Sequence, residues 1–510
     1  MNKIKVITIL LIGSLFISAC SKDYLATSPT DSKQTPSIFE TTKGAALAIN
    51  GINKLMTTQL LSTQGFNGEG TIKMFYGNYP GNHFFTNMPG WDLVINGQLR
   101  ENISSIYLYY PWYYYYMLIG NANAIIVNID NATGPEADRQ FIKAQALTFR
   151  AYSYFMLSQI YCNRWSDSSN GATDGLVLRT DLSTGDLPLS SLSEVYQRVY
   201  DDLNEAIELY KTSGKVRVAN YDPDVNVAYA IYARAALTRQ DYNKAHKMAI
   251  SARTGYPLMS NNEYRAGFFT PNKEWIWSSY GASDESLFYF SYFAYIAYNS
   301  NASAVRNYPK CISKELYNKI PVEDVRKTMF LDPTGYLYDT STGQTSSSSA
   351  LAAKARQMFP ALYPTASIYA YMQFKIGAAD LPGVGNLNHF RSSEMYLIEA
   401  EAKYFSGDEQ GAINALEFLN RQSGRNPSYV CTKTGSELLE EIKLYRAIEL
   451  WGEGFDWFDL KRWGDGINRK SVEAGGNFIP VLAITASPQD GNEWTWKIPQ
   501  KETDYNGGIN

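Results

Sequence analysis

Flat aromatic side chains set among amides, carboxylates and guanidinium groups are the residue types that bind sugars. The C–H face of a pyranose lies on the ring while the polar groups take its hydroxyls. Two stretches of this chain have that composition. Residues 74–100 carry Tyr76, Tyr79, His83 and Trp91 among Asn78, Asn82, Asn87, Asp92 and Arg100, with Pro80, Gly81, Pro89 and Gly90 interrupting any regular helix. Residues 271–280 offer Trp275, Trp277 and Tyr280 beside Asn272, Lys273 and Glu274. These seven residues are the candidate ligand contacts, Trp91 foremost, although a lone tryptophan is more often packed under a loop than displayed. Two further aromatic runs read as packing. In 107–116 (YLYYPWYYYY) Pro111 suits a helix start, and 288–298 (FYFSYFAYIAY) alternates like a strand or a buried loop.

Catalysis would need a different set of groups. Glu449, Glu453, Asp456 and Asp459 lie close enough in sequence to supply the two carboxylates of a glycoside hydrolase. They stand beside lysines and arginines, so paired, solvated charges are the better reading. No nucleophile elbow, H-E-x-x-H helix or phosphate loop is present. Asp222, Asp224 and Asn226 imitate the start of a calcium loop, but Val227 and Ala233 stand at its glycine and glutamate positions, leaving a turn that opens a helix at Val225. His83, His246 and His389 are scattered, as are Cys162, Cys311 and Cys431, so no zinc site or cofactor is expected and the cysteines read as buried apolar groups with at most one bridge. A formal charge of -4 without a basic run gives no footprint for nucleic acid.

The elements that must position the rings are helical. Helical periodicity runs through roughly residues 35–260 and 390–464, while 261–389 is irregular and rich in Tyr, Ser and Asn. Tyr229, Ala233, Asp241 and Ala245 align at one constant offset with Tyr396, Ala400, Asp408 and Ala412. Each copy reads as a small-residue helix, a polar turn and a second helix, the pattern of a tetratricopeptide hairpin, which must stack on neighbours to bury its faces. Segments 135–161 and 193–210 read as further helices of this type. The expectation is a mainly α, tetratricopeptide-like scaffold forming one domain over 20–510, with 261–389 as a loop-rich insertion carrying the ligand face.

Residues 438–464 join an amphipathic helix to an aromatic turn. Leu438, Ile442, Tyr445 and Ile448 share one face, and Glu440, Glu441, Lys443 and Arg446 fall on the wet side. Thr434 and Glu437 have capping-box spacing, and Gly452 and Gly454 end the helix. Glu453, Gly454, Asp459, Leu460, Lys461, Arg462, Trp463 and Gly464 match in order the C-terminal signature E-G-x-x-x-x-D-L-K-R-W-G of the SusD/RagB family of nutrient-capturing surface lipoproteins, which the chain resembles. Tyr445 and Asp456 depart from the family pattern, which usually has an acid and an arginine there. Asn121, Asn123, Arg150, Tyr152, Arg234, Arg391 and the closing 497–502 segment also fall in the family's order. The resemblance implies an outer-membrane lipoprotein sitting as a lid on a SusC-type TonB-dependent transporter and handing it oligosaccharide. Peptide capture, as in RagB-like relatives, is the alternative within the fold, and a glycoside hydrolase a more remote one.

The first residues agree with that implication. Lys3 and Lys5 precede an apolar run over 6–17 that is too short to span a bilayer but has the length of a signal-peptide core. Ile17-Ser18-Ala19-Cys20 has the form of a lipobox. Cleavage after residue 19 would leave Cys20 as the acylated first residue, and each buried methylene contributes about 0.8 kcal/mol to a lipid anchor.

Overall fold

The computed structural model describes residues 38–61, 66–282, 290–488 and 494–509. Cys20 and the 1–19 segment lie outside the described residues.

Ten helices build the frame: α1 (Thr42–Leu55), α2 (Ile106–Asn128), α3 (Glu136–Tyr161), α4 (Leu192–Ser213), α5 (Val225–Thr238), α6 (Tyr242–Ala252), α7 (Ser392–Phe405), α8 (Glu409–Glu417), α9 (Gly435–Glu449) and α10 (Asp456–Trp463). Consecutive members pack as hairpins, α3 with α4, α5 with α6 and α7 with α8, and the hairpins stack α4 on α5 and α6 on α7. α2 lies on α3, α1 packs against both, and α9 covers α7 and α8. The aligned repeat is real in three dimensions. Ala233, Ala245, Ala400 and Ala412 are fully buried where paired helices approach. Gln240 and Gly407 both turn through positive φ, at 65° and 82°. Asp241 and Asp408 then cap α6 and α8, accepting from the Lys244 and Gly411 backbone N–H groups.

Asp224 caps α5 by accepting from Val227 N, so the calcium-like stretch is a helix start, as its sequence suggested. Ser191 and Glu194 form a reciprocal capping box on α4. The box expected at α9 does not form. Thr434 makes no side-chain cap bond, and Glu437 pairs with Lys433 instead.

The Pro111 reading also needs correction. Pro111 lies inside α2, which begins at Ile106. A helical proline removes one N–H and pushes on the carbonyl four residues back, and two tyrosines repair the damage. The Tyr76 hydroxyl donates to the Tyr107 carbonyl. The Tyr161 hydroxyl sits between Trp112 N, from which it accepts at 3.1 Å, and the Leu108 carbonyl, to which it donates. The 292–296 part of the second aromatic run is a short helix, not a strand.

Buried polar residues of the helices are cross-links between layers. Arg150 on α3 pairs with Asp202 on α4 at 2.7 Å and donates to Asn123 on α2. Arg234 on α5 pairs with Glu394 on α7 at 2.6 Å.

The irregular segment between α6 and α7 returns through two-stranded antiparallel ladders: β1 (Phe84–Thr86) with β3 (Lys310–Ile312), and β2 (Trp275–Ser279) with β4 (Leu387–Arg391), which runs straight into α7. A buried ionic cluster ties it to the C-terminal block. Arg391 bonds Glu274 at 2.8 Å, Glu449 at 2.7 Å and Glu453 at 2.8 Å. Arg326 bonds Glu449 at 2.9 Å as well as Asp324, and Lys375 bonds Glu453 at 2.6 Å. Arg425 completes a set of four cations and four carboxylates, all buried. Glu449 and Glu453 are therefore not solvated, contrary to the sequence reading. Burial alone would raise the Glu449 pKa, but Arg391, Arg425 and Arg326 outweigh it and hold the group far below the usual carboxylate range. Arg446, placed by its helix face in solvent, is buried against Asp459 at 2.7 Å, and Arg462 joins Asp459 to Glu401.

Candidate functional site

The seven candidate contacts divide by burial. Tyr76, Tyr79, Trp275 and Trp277 are at most 1 % exposed, so none offers a ring face to a ligand. Tyr76 supports α2 as described. Tyr79 stacks on Phe75 with centroids 5.7 Å apart. Trp275 and Trp277 lie on β2, whose residues are all buried between β4 and the helices. The Trp277 ring is enclosed by Phe149, Tyr152, His389 and Phe390, and its indole N–H donates to the Tyr221 carbonyl at 3.0 Å. Trp275 and Trp277 were expected to be ligand contacts. That expectation fails because they lie on a strand with both faces covered.

Trp91, His83 and Tyr280 keep exposed surface. Trp91 sits on a 3-10 turn, Pro89–Trp91, that Pro89 and Gly90 carry outward. It rests edge-on to Phe75 at 5.8 Å and near Tyr295 at 6.2 Å. Exposed Leu93 follows it. Tyr280, directly after β2, is 46 % exposed and meets Tyr221 edge-to-face at 5.7 Å. It borders a shallow cavity of about 60 Å3 together with Met56, Asn67, Tyr292, Phe293 and Val384. The short helix Tyr292–Ile296 thus touches both rings' surroundings: Tyr295 lies by Trp91, and Tyr292 and Phe293 wall the Tyr280 cavity. Close packing holds this region in shape. A Cβ on Gly281 would fall 1.9 Å from the Gly385 carbonyl oxygen, and one on Gly383 2.3 Å from Ala294 N, so the 380–385 loop lies directly against the end of β2 and the Tyr292–Ile296 helix.

His83 belongs to a different place. Its backbone N–H donates to Asp456 at 2.7 Å and its carbonyl accepts from the Trp451 indole at 2.8 Å, which fixes the strap between the π-helical turn Ile72–Asn78 and β1 onto the C-terminal block. Asp456 takes the position where the family pattern has arginine, and a Cβ on Gly81 would strike its carboxylate at 2.2 Å. Tyr221, Tyr292 and Phe293 were missed by sequence reasoning. Tyr221 stands alone in a polar turn, and the other two lie in a run that read as packing, a strand or a buried loop.

Residues 266–510 match the family model described as "SusD family", and residues 31–237 match one described as "Starch-binding associating with outer membrane". The chain belongs to the SusD family. A SusD-like carbohydrate binding protein from Bacteroides vulgatus is similar at 26 % identity and a TM-score of 0.73, over 92 % of this chain and 97 % of that one. SusD superfamily proteins from Bacteroides thetaiotaomicron (22 %, TM-score 0.71, 92 % and 99 % covered) and Bacteroides fragilis (19 %, TM-score 0.68, 93 % and 100 % covered) share the fold. No curated protein matches. The helical, tetratricopeptide-like scaffold is thus that of the SusD family, and its description places the family at the outer membrane. Among the described residues, no helix is long and apolar enough to cross a membrane.

Proposed function

We propose that this chain is a non-catalytic, lipid-anchored surface protein that holds oligosaccharide and passes it to a SusC-type TonB-dependent transporter. The observation that carries the reading is similarity along nearly the whole chain to a carbohydrate binding protein of the same family, joined to a surface where Trp91 and Tyr280 flank one short helix. Both rings are supported from behind by other aromatics, which lowers the entropy lost when a sugar stacks on them. Trp91, Tyr280, Tyr221 and the 380–385 loop form the ligand face, and Cys20 carries the anchor. The acids near the C-terminus do not serve as a hydrolytic pair: Glu449 and Glu453 are locked in salt bridges, and Asp459 is held between Arg446 and Arg462.

Affinity electrophoresis through starch, and through a panel of other polysaccharides and peptides in parallel, tests the ligand class. Retardation by at least one glycan, with no new reducing ends released, is the expected result. Binding of peptides alone would replace this reading with the RagB-like one. Mass spectrometry of the native protein should find acylated Cys20, and mild-detergent pull-down should recover a large β-barrel transporter.

A further inference from the structure

A second cleft lies away from the Trp91 and Tyr280 face. It lies between α9 and α10 of the C-terminal block, the His83 strap and the short helix Lys314–Lys319, and holds about 200 Å3. That is room for roughly six waters at about 30 Å3 each, the scale of one sugar ring and not of a chain. Three properties of its wall point to a ligand. Half-buried Phe455 and Trp463 line it, offering ring surface. Arg446, 2 % exposed, bonds Asp459 through Nε while its Nη1, buried, has no hydrogen-bond partner. A buried guanidinium N–H left unpaired costs about 1–3 kcal/mol or more, which marks this wall as polar and incompletely satisfied. Asp456, on the same wall, uses Oδ2 for His83 N.

The charge on the wall selects the ligand class. Glu315, Glu440, Asp456, Asp459 and Asp465 outnumber the lysines and Arg446, so an anion would be repelled. A cation is disfavoured because most of these acids are already engaged, Asp459 by Arg446 and Arg462, and Asp465 and Glu440 by Lys443 at 2.8 and 3.3 Å. Neutral hydroxyls, each both donor and acceptor, can meet the carboxylates and the lysine ammonium groups of one wall together. We propose that this cleft is a second binding site, for a single neutral sugar residue, built by the C-terminal block and separate from the Trp91 and Tyr280 face. It rests on the glycan-binding reading only for the class of ligand.

Saturation-transfer NMR and titration calorimetry with D-glucose, D-galactose and D-mannose test it, using the full mature chain. Ala447→Phe fills the cleft from a half-buried position that makes no ion pair. It should weaken monosaccharide binding at least tenfold while leaving polysaccharide retardation intact. Asp456→Asn, which retains an oxygen for His83 N, should weaken the monosaccharide as well, and Trp91→Ala should leave it unchanged. Thermal melts within a few degrees of the wild type show that each variant is folded. Unaltered binding in folded Ala447→Phe, loss in Trp91→Ala, or no monosaccharide binding by the wild type would each overturn the inference. Polysaccharide retardation persisting in that last case would leave the proposed function standing.

Discussion

Removing the Tyr76 hydroxyl tests whether this ring is a structural strut and not a sugar platform. Pro111 has no N–H, so the Tyr107 carbonyl inside α2 has lost its normal helical donor, and the Tyr76 hydroxyl takes that place. Tyr76 is 1 % exposed, so no water replaces the lost bond in Tyr76→Phe. Leaving a buried carbonyl unsatisfied costs about 1–3 kcal/mol. In a Pro111→Ala background the alanine N–H can close the helical bond to Tyr107, so the same tyrosine deletion should cost under about 1 kcal/mol, giving a coupling of roughly 1 kcal/mol or more. Urea unfolding followed by circular dichroism at constant m provides the four corners of the cycle. Glycan retardation should be unchanged in Tyr76→Phe. A cost below about 0.5 kcal/mol, or an equal cost in both backgrounds, would refute the strut.

Other expectations follow from the same packing. Gly51 and Gly120 lie in exposed stretches of α1 and α2 with nothing near a new Cβ; alanine at either should raise stability by about 0.5–1 kcal/mol, whereas Gly407→Ala, at φ 82°, should lower it by about 1 kcal/mol. Glu449→Gln strips a carboxylate from Arg391 and Arg326 in the buried cluster and should cost about 3–5 kcal/mol by urea unfolding. Lys461 donates to carbonyl oxygens and Lys310 to neutral oxygens and the Met88 sulfur, and burial lowers each pKa to about 7 from 10.5. Between those values the unfolded chain holds protons that the folded one has released, so stability should rise from pH 7 towards pH 9, by up to about 1.4 kcal/mol per lysine per pH unit. A flat or falling profile over that range, or one unchanged by Lys461→Met, would contradict the assignment.

The scaffold was legible in the sequence where local chemistry decides it. Alanine spacing and the Asp241 and Asp408 caps fix the repeated hairpin, and the residues from Glu453 to Gly464 carry the family signature. Burial was legible only in part, because it depends on partners far along the chain. Trp275 and Trp277 read as displayed rings until β4 is seen to pair with β2 and carry His389 and Phe390 against them. Arg446 sits on the polar face of its helix by periodicity, yet α10 brings Asp459 over it. Glu449 and Glu453 are drawn inside by Arg391, Arg326 and Lys375, none of them near in sequence. In the first aromatic stretch, Pro89 and Gly90 did mark the turn that leaves Trp91 partly exposed, because turn residues act locally.

The central claim is that Trp91 and Tyr280 present a glycan-binding face on a non-catalytic scaffold. Affinity electrophoresis of the wild type, Trp91→Ala, Tyr280→Ala and their double variant through the retarding polysaccharide addresses it directly. Each single change should weaken retardation about tenfold and the double change abolish it, with melting temperatures preserved. Full retardation of a folded double variant would contradict the account.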